Sequence, residues 1–456
     1  MKKNNVPGGG SLEEFIEKLE KENCLLRDDN QQLAQKLNSK RYKAVDFLTD
    51  GFYKIVNKEN NKSQLIQRNL NPERSQKVIR ANFVPGRVDI INVNFYDWDG
   101  RIVFKGGAER YVYDLAVLLK SMGYKPRILQ CSNVPFVKHY NGIDVVGTGF
   151  GDKSSMRRNS IMYNYYCKDA ELIIASPLEL ACEIKGAPVI GVNHGINFDS
   201  EWNKYNSKYP YLHDEHMDAL TNVVSCICVD TNFINWTRTQ DYDLALKEKY
   251  IPNYFDQKQF ARSSVREKRD MVTFVYPRRL YSARGFDITV RAFERILPKY
   301  KDKIILTFVG QVDNEEVKDD LERIMNAYPK NVFHYEYSME EMPKAYKEAD
   351  VVLVPTRYSE GTSLSCIEGM ASGAAVIVTD VGGLPNLVID GYNGVIISPT
   401  VDELAMAVEE MIRKPTWRTE IAANGLAVAK KAFTKTKWEE SWKQEIKKVM
   451  ATLNNR

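Results

Sequence analysis

The sequence predicts an α/β protein in which two parallel-sheet domains face each other across a cleft, preceded by a coiled-coil helix. Three observations lead to this prediction: a heptad repeat in the first 40 residues, two arrays of short apolar runs alternating with helix-length segments, and glycines and charged side chains after several of those runs. The chain has 456 residues, 43% hydrophobic and 27% charged, so it is globular and too long for one core.

Composition excludes several classes of protein. A net charge of +4 is small for this length, so we expect no nucleic-acid binding. The seven cysteines are scattered without a CxxC pair, and with only five histidines they predict neither a disulfide framework nor a zinc site. The start MKKNNVPGGGS lacks the apolar core of a signal peptide, and no apolar run approaches the roughly 18 residues of a membrane span. We therefore expect a cytoplasmic protein, for which peripheral contact with the inner face of the plasma membrane stays open.

Residues 1–82 are expected to form a coiled coil and a linker arm. Alternating a and d positions of almost four heptads are held by Leu12, Ile16, Leu19, Asn23, Leu26, Asn30, Leu33 and Leu37. Asparagine at two a positions is typical of a parallel two-stranded coiled coil, so we predict a homodimer through residues 12–40. The alternative is an amphipathic helix packed on the body of the same chain.

A second amphipathic segment follows the heptads. Its apolar stripe consists of Val45, Leu48, Phe52 and Ile55 at helical spacing. The lysines and arginines around this stripe suit a helix on anionic lipid, whereas Asp46 and Asp50 favour a connecting helix packed on its neighbour. Both interpretations remain open.

Two arrays of alternating apolar runs and helix-length segments come next. The runs of the first array are 88–95, 126–131, 170–176, 187–195 and 224–231, with a helix over 107–122. The runs of the second are 272–277, 304–310, 332–337, 351–356, 374–380 and 394–399, with a helix over 286–298. Such alternation indicates parallel sheets covered on both faces, so each array predicts a Rossmann-like domain. The predicted domains are 83–255 and 256–435, and a last helix over 436–456 is expected to cross back to the first.

Two loops at the carboxyl ends of predicted strands carry candidate residues, because open parallel sheets bind ligands there. In KGGAER, Gly106 and Gly107 let backbone N–H groups approach a ligand, although a glycine pair is also common in tight turns. In PRRLYSARGF, Arg279 and Arg284 suit a leaving diphosphate, and the alternative is a solvated basic loop.

The stretch SEGTSLSCIEGM (359–370) holds two glutamates eight residues apart. On a continuous helix they would be ordinary surface charges. If Glu360 lies on a loop and Glu368 inside the following helix, the helix N-terminus between them favours a phosphate. The backbone expected to bind the donor there is that of Gly361, Thr362, Ser363 and Leu364. Glu360 would accept hydrogen bonds from sugar hydroxyls and Glu368 from a ribose diol, which predicts a nucleotide-sugar ligand.

The stretch 360–399 resembles the Glu-x7-Glu region of the family-4 retaining glycosyltransferases, which have the GT-B fold of two Rossmann-like domains. PRRLYSARG is similar to that family's GRL-x3-KG turn, GGAER is similar to its first glycine loop, and the similarity runs over roughly residues 88–450. The resemblance implies that Glu360 contacts the donor sugar, that Glu368 contacts the ribose, and that Arg279 and Arg284 bind the diphosphate.

The resemblance further implies that Gly106 and Gly107 line the acceptor side and that His194, in VNHGINFD, lies beside the reacting sugar, although an isolated histidine is also commonly structural. The resemblance also implies transfer without a cofactor or metal, with the leaving phosphate assisting deprotonation of the acceptor. Charge stabilisation by the two arginines and a helix end is expected to replace the metal. Asp97 and Asp99 match the DxD pattern that binds a divalent ion in the other glycosyltransferase fold, but we expect a loop near the acceptor here.

The chain departs from the family pattern at four positions. Pro277 and Arg278 stand where small residues are common, Arg284 stands for lysine, and Asn386 stands for glutamate. Arginine keeps the positive charge and adds donors, so phosphate binding should survive, whereas Asn386 leaves the nucleotide base undefined.

The sequence therefore predicts a retaining, metal-independent hexosyltransferase that moves a hexose-type sugar from a nucleotide-diphosphate sugar to a cell-envelope or surface glycan, free or lipid-linked. One alternative is a coiled-coil scaffold with an inactive sugar-binding body. Another is a different enzyme of the same fold, either a phosphorylase or a nucleotide-sugar epimerase.

Overall fold

The computed structural model describes residues 83–104, 106–153, 155–199, 209–260, 271–338 and 340–454, with side chains omitted for 209–212 and 453–454. The predicted coiled coil, the amphipathic segment after it and the linker arm lie outside the described residues. Within the described part of the chain, no helix is both long and apolar enough to span a bilayer.

The first domain is built on an eight-stranded sheet. Its strands are β1 (Arg87–Asn92), β2 (Lys125–Gln130), β3 (Pro135–Tyr140), β4 (Ile143–Thr148), β5 (Leu172–Ala175), β6 (Val189–Asn193), β7 (Ser225–Cys228) and β8 (Glu248–Tyr250). They lie in the order β3-β4-β2-β1-β5-β6-β7-β8, and every pair is parallel except the hairpin β3–β4. The helices are α1 (Gly107–Ser121), α2 (Met156–Tyr166), α3 (Tyr209–Asn222), α4 (Thr231–Gln240) and α5 (Tyr242–Ala245). The short helix α6 (Gln257–Phe260) follows, and its Phe260 packs into the core of the second domain.

The second domain is built on a six-stranded, all-parallel sheet. Its strands are β9 (Val272–Tyr276), β10 (Ile304–Val309), β11 (Val332–Tyr335), β12 (Val351–Val354), β13 (Ala375–Thr379) and β14 (Val395–Ile397), in the order β11-β10-β9-β12-β13-β14. The helices are α7 (Phe286–Tyr300), α8 (Glu315–Ala327), α9 (Met342–Glu348), α10 (Leu364–Ala371), α11 (Val401–Arg413) and α12 (Pro415–Ala432). Parallel strands with covering helices on both faces are the arrangement that the two sequence arrays predicted.

Alternation along the central strand β9 divides the second core in two. Phe274 and Tyr276 pack into the cluster that includes α7 and α11, while Val275 packs into the cluster that includes α10. Side chains of a strand point to opposite faces in turn, so a fully apolar strand is buried on both sides. This is why the run VTFVYP carries no polar alternation.

The last helix, α13 (Lys435–Asn454), contributes to the core of the first domain. Trp438, Trp442 and Ile446 are buried there, and the indole Nε1 of Trp442 donates to the Tyr111 hydroxyl at 2.9 Å. The Lys435 ammonium lies 2.7 Å from a carboxylate oxygen of Asp114 on α1. The helix α13 therefore packs on the first domain, although it follows the second domain in sequence.

The hairpin β3–β4, within the segment 133–160, was not among the elements predicted from the sequence. The hairpin turns at Asn141 and Gly142, both with positive φ (47° and 82°). An Asn-Gly pair is a strong hairpin signal, so this turn could have been predicted. The strand β3 itself is only partly buried and lies at the sheet edge, which is why it lacks an apolar run.

Candidate active site

The two domains meet at loops beyond the carboxyl ends of β6 and β12. A Cβ at Gly361 would fall 2.4 Å from the carbonyl oxygen of His194, and one at Gly195 would fall 2.9 Å from Cα of Gly361. Gly195 also has φ of +110°, which side chains rarely tolerate. Glycine at both positions therefore lets the loop of His194 and the loop of Glu360 touch through their backbones.

The first glycine loop faces the start of α10. A Cβ at Gly107 would lie 2.9 Å from Cδ1 of Leu364, and Gly106 caps α1 without a side-chain hydrogen bond. Because α10 begins at Leu364 with Ser363 as its N-cap, Glu360 is on the preceding loop and Glu368 is inside the helix. The two glutamates therefore do not share one continuous helix, and the N-terminus of α10 lies between them, as one of the two interpretations of the stretch predicted.

Glu360 is held in a closed ring of charge-assisted hydrogen bonds. Its Oε2 accepts from Nη2 of Arg278 at 2.6 Å and from Oγ1 of Thr356 at 2.7 Å, and Nη1 of Arg278 donates to that same Thr356 Oγ1 at 2.5 Å. Burial acts to raise the pKa of the Glu360 carboxyl, but Arg278 and Arg284 outweigh it and lower the pKa below its usual range. Glu360 is therefore an ionised acceptor in a site that is nearly closed to solvent.

The PRRLYSARGF loop holds Arg279 and Arg284 besides Arg278, and these two arginines have different surroundings. Nη1 of Arg284 donates to the carbonyl oxygens of Ser359 and Tyr358 at 2.6 and 3.2 Å and lies 3.5 Å from Oε2 of Glu360. Arg279 is exposed, with its guanidinium carbon 5.7 Å from the ring centre of Tyr281. The structure thus brings Arg284 to Glu360, while Arg279 points its charge toward solvent at the same turn.

Glu368 reaches across the cleft to the first domain. Its Oε1 lies 2.8 Å from Nη1 of Arg110 on α1, with only 6% of the Glu368 side chain exposed. Burial alone would lower the pKa of the Arg110 guanidinium, but the carboxylate of Glu368 raises it. Arg110, the last residue of GGAER, has no role predicted from the sequence, because nothing in the sequence pairs it with a residue 258 positions later.

His194 is a half-buried histidine that is neutral at physiological pH. Its Nε2 lies 2.9 Å from the Ser176 hydroxyl, and the ring packs edge-on to Tyr111 with ring centres 5.2 Å apart. Burial lowers the pKa of His194 to about 4. At neutral pH the imidazole can therefore donate or accept one hydrogen bond at each nitrogen but carries no charge.

Further polar contacts join the domains around these residues. Asn253 donates from its backbone N–H to Oγ1 of Thr362 at 2.9 Å and from its side chain to the Thr362 carbonyl oxygen at 2.7 Å. The amide of Asn386 pairs with the backbone N–H and hydroxyl of Thr231 at 2.9 and 2.7 Å. Asn386, which departs from the family pattern, is therefore a residue of the domain interface.

The two carboxylates of the DxD pattern accept hydrogen bonds from other residues of the first domain. Asp97 accepts from the backbone N–H of Arg101 and Ile102, and Asp99 accepts from the side-chain amide of Asn133 at 2.9 Å. The bonds of Asp97 stabilise the turn between β1 and α1, and the bond of Asp99 connects that turn to the segment before β3.

One group among the described residues has donor atoms close enough to hold a metal, namely Cys226, Cys228 and Glu248. All three are buried, and burial raises the pKa of the Cys228 thiol and that of the Glu248 carboxyl, the latter to about 7. A metal needs the thiolate and carboxylate forms, which this environment disfavours. The group belongs to the sheet core and lies apart from the glutamate loop.

Residues 257–427 match the family of glycosyl transferases group 1. Among solved structures, the sucrose-phosphate synthase of Thermosynechococcus elongatus has a TM-score of 0.65 at 19% identity, with 80% of this chain and 99% of that chain covered. The Anabaena protein HepE in complex with UDP-glucose has a TM-score of 0.61 at 16% identity, covering 80% of this chain and 99% of the other. The fold is GT-B.

The GT-B fold prediction is thereby confirmed, and the second domain carries the group 1 glycosyltransferase sequence pattern. A curated relative, an uncharacterized glycosyltransferase of Methanocaldococcus jannaschii, is 29% identical over 189 residues, which is 41% of this chain and 46% of the relative. The chain therefore spans about half the length of that relative. The region that matches the family includes Arg278, Arg284, Glu360 and Glu368.

Proposed function

We propose that the chain is a retaining, metal-independent glycosyltransferase that moves a hexose-type sugar from a nucleotide-diphosphate sugar to a glycan of the cell envelope or surface. The observation that carries the proposal is the placement of two nearly buried glutamates on either side of the start of α10, each held by an arginine. Two acceptors separated by a helix N-terminus suit a ligand with a polyol at each end and phosphates between.

The charges at the cleft support the phosphate part of the proposal. Both hydrogen bonds of the Arg284 guanidinium to loop carbonyls use Nη1, so Nη2 and Nε have no hydrogen-bond partner among the described residues, although the guanidinium lies 5.7 Å from the ring centre of Tyr281. Arg279 is exposed beside it. Arginines and the N-terminal amides of α10 would together stabilise a leaving nucleotide diphosphate without a divalent ion.

The proposed reaction balances as a substitution at the sugar C1. The bond from C1 to the phosphate oxygen breaks, the bond from C1 to the acceptor oxygen forms on the same face, and the acceptor proton passes to the leaving phosphate. Neutral His194 would line the donor sugar through its hydrogen-bonding nitrogens, while Glu360 would orient the sugar by accepting from its hydroxyls.

Two observations on other proteins support the donor class. HepE binds UDP-glucose in its solved complex, and another structural relative is trehalose-6-phosphate protein from E. coli bound with UDP-2-fluoro glucose. For this chain we propose the wider class of nucleotide-diphosphate hexoses, used on the cytoplasmic side of the membrane and transferred to a glycan or lipid-linked glycan.

The test is a donor panel of UDP-, dTDP-, GDP- and ADP-sugars with EDTA present, read by thermal stabilisation and by donor hydrolysis. We expect one donor to stabilise the wild type and to be slowly hydrolysed by it, and Glu360→Gln to abolish that hydrolysis. If no donor stabilises the wild type or is turned over, the proposal is wrong, and an inactive sugar-binding body becomes the better description.

A further inference from the structure

The ring formed by Arg278, Thr356 and Glu360 contacts only one of the two carboxylate oxygens of Glu360 among the described residues, and the proposed function alone does not explain this asymmetry. All three side chains are at least nine-tenths buried, with 8% of Arg278 and 9% of Glu360 exposed. Among the described residues, every polar contact to the carboxylate falls on Oε2: hydrogen bonds from Arg278 at 2.6 Å and Thr356 at 2.7 Å, and an ion pair with Arg284 at 3.5 Å. The oxygen Oε1 is thus the one left for a ligand.

We propose that Arg278 is a positioning residue for the donor sugar: it fixes Glu360 so that Oε1 alone faces the sugar hydroxyls. This inference rests on the proposed glycosyl transfer.

The geometry favours a positioning role over a purely structural one. A buried ion pair seldom adds stability compared with apolar packing, but it selects one geometry for its partners. Arginine can donate to Thr356 and Glu360 at once through Nη1 and Nη2, and lysine cannot match both contacts with one point charge.

The other groups around Glu360 are also held by hydrogen bonds and close backbone contacts. Thr356 completes the ring with its hydroxyl, and the backbone carbonyl oxygen of Thr356 accepts from the hydroxyl of Thr379 at 2.6 Å. The Glu360 carbonyl oxygen accepts from the N–H of Gly383 at 3.0 Å, and a Cβ at Gly382 would fall 1.9 Å from that oxygen. Backbone and side chain of Glu360 are therefore fixed independently, and only the side-chain orientation depends on Arg278.

Arg278 also carries an unused donor. Its Nε is buried and has no hydrogen-bond partner among the described residues. A buried N–H without an acceptor is costly, so Arg278 is retained for its contacts to Glu360 and Thr356 and not for stability.

The experiment compares Arg278→Met, Arg278→Lys and the matched surface control Arg295→Gln with the wild type. Arg295 is exposed on α7 and pairs with Asp402, away from the cleft. For each protein we measure the affinity for the donor identified in the panel and for its nucleotide diphosphate alone, then donor hydrolysis against pH. Circular dichroism checks that each variant is folded.

We expect Arg278→Met to weaken binding of the sugar donor by about 10- to 100-fold while affinity for the diphosphate changes less than about threefold. Loss of the Arg278 cation should also raise the pKa of Glu360, so the acid limb of the hydrolysis profile should move to higher pH. Arg278→Lys keeps the charge and should leave that limb in place while lowering the rate.

A double-substitution cycle closes the test. If Arg278 acts through Glu360, adding Arg278→Met to Glu360→Gln should lower the affinity for the donor little further. Equal losses for donor and diphosphate, an unmoved acid limb or additive effects would overturn the positioning role. Should Arg278→Met fail to fold, the cycle is run with Arg278→Lys. A wild type that binds no donor would instead refute the proposed function itself.

Discussion

Trp442 on the last helix offers a prediction whose size follows from its contacts. The side chain is 0% exposed within the first-domain core, and its indole donates to the Tyr111 hydroxyl, which belongs to the ring that packs against His194. Trp442→Ala should therefore lower the free energy of unfolding by about 3–5 kcal/mol, the usual cost of removing a large buried aromatic side chain. Trp442→Phe keeps most of the packing and should lose about 1–2 kcal/mol, mainly the hydrogen bond.

The assay is urea unfolding followed by far-UV circular dichroism, with Trp417→Ala as the matched control. Trp417 is only partly buried, on α12 of the second domain, so its loss should be smaller. A Trp442→Ala variant within about 1 kcal/mol of the wild type would refute the inference that α13 completes the first-domain core. A Trp442→Phe variant as unstable as Trp442→Ala would refute the division between packing and hydrogen bond.

Three further predictions concern the cleft. His194 has a pKa of about 4 against about 6.5 when unfolded, so the unfolded chain binds a proton that the native one does not. The free energy of unfolding should therefore fall as pH drops from about 6.5 toward 4, and His194→Gln should flatten that slope; an NMR titration with a midpoint above 6 would contradict this. In Gly361→Ala the new Cβ would fall 2.4 Å from the His194 carbonyl, so we expect turnover to drop at least about 100-fold while circular dichroism stays native; unchanged turnover would mean that the loops do not touch. Arg110→Met removes the cation that orients Glu368, so the affinity for the nucleotide diphosphate, measured by calorimetry, should fall about tenfold, and an unchanged or tighter affinity would argue against that role.

The sequence predicted the architecture well because parallel strands leave a strong local signal. A strand such as β9 is buried on both faces, so it reads as a continuous apolar run that a short window detects. The edge hairpin β3–β4 gave no such run, and only its Asn-Gly turn marked it. The prediction for residues 12–40 lies outside the described residues and stays a prediction.

The candidate site was predictable as loops but not as contacts. Glu360 and Glu368 were found because their spacing and flanking glycines are local features of the chain. Their partners were not, because Arg278 is 82 positions from Glu360 and Arg110 is 258 from Glu368, and only the packed fold brings them together. The role of Asn386 at the domain interface was missed for the same reason.

The measurement that tests the central claim most directly is a calorimetric comparison of the donor, its nucleotide diphosphate and the 2′-deoxyribose form of that diphosphate on the wild type, Glu360→Gln and Glu368→Gln. If the two glutamates hold the two polyol ends of one ligand, Glu360→Gln should lower the affinity for the sugar donor by about tenfold or more and leave the affinity for the diphosphate unchanged. Glu368→Gln should weaken both ligands and abolish the preference for ribose over deoxyribose. Equal losses in both variants for all three ligands, or a ribose preference that survives Glu368→Gln, would contradict the account.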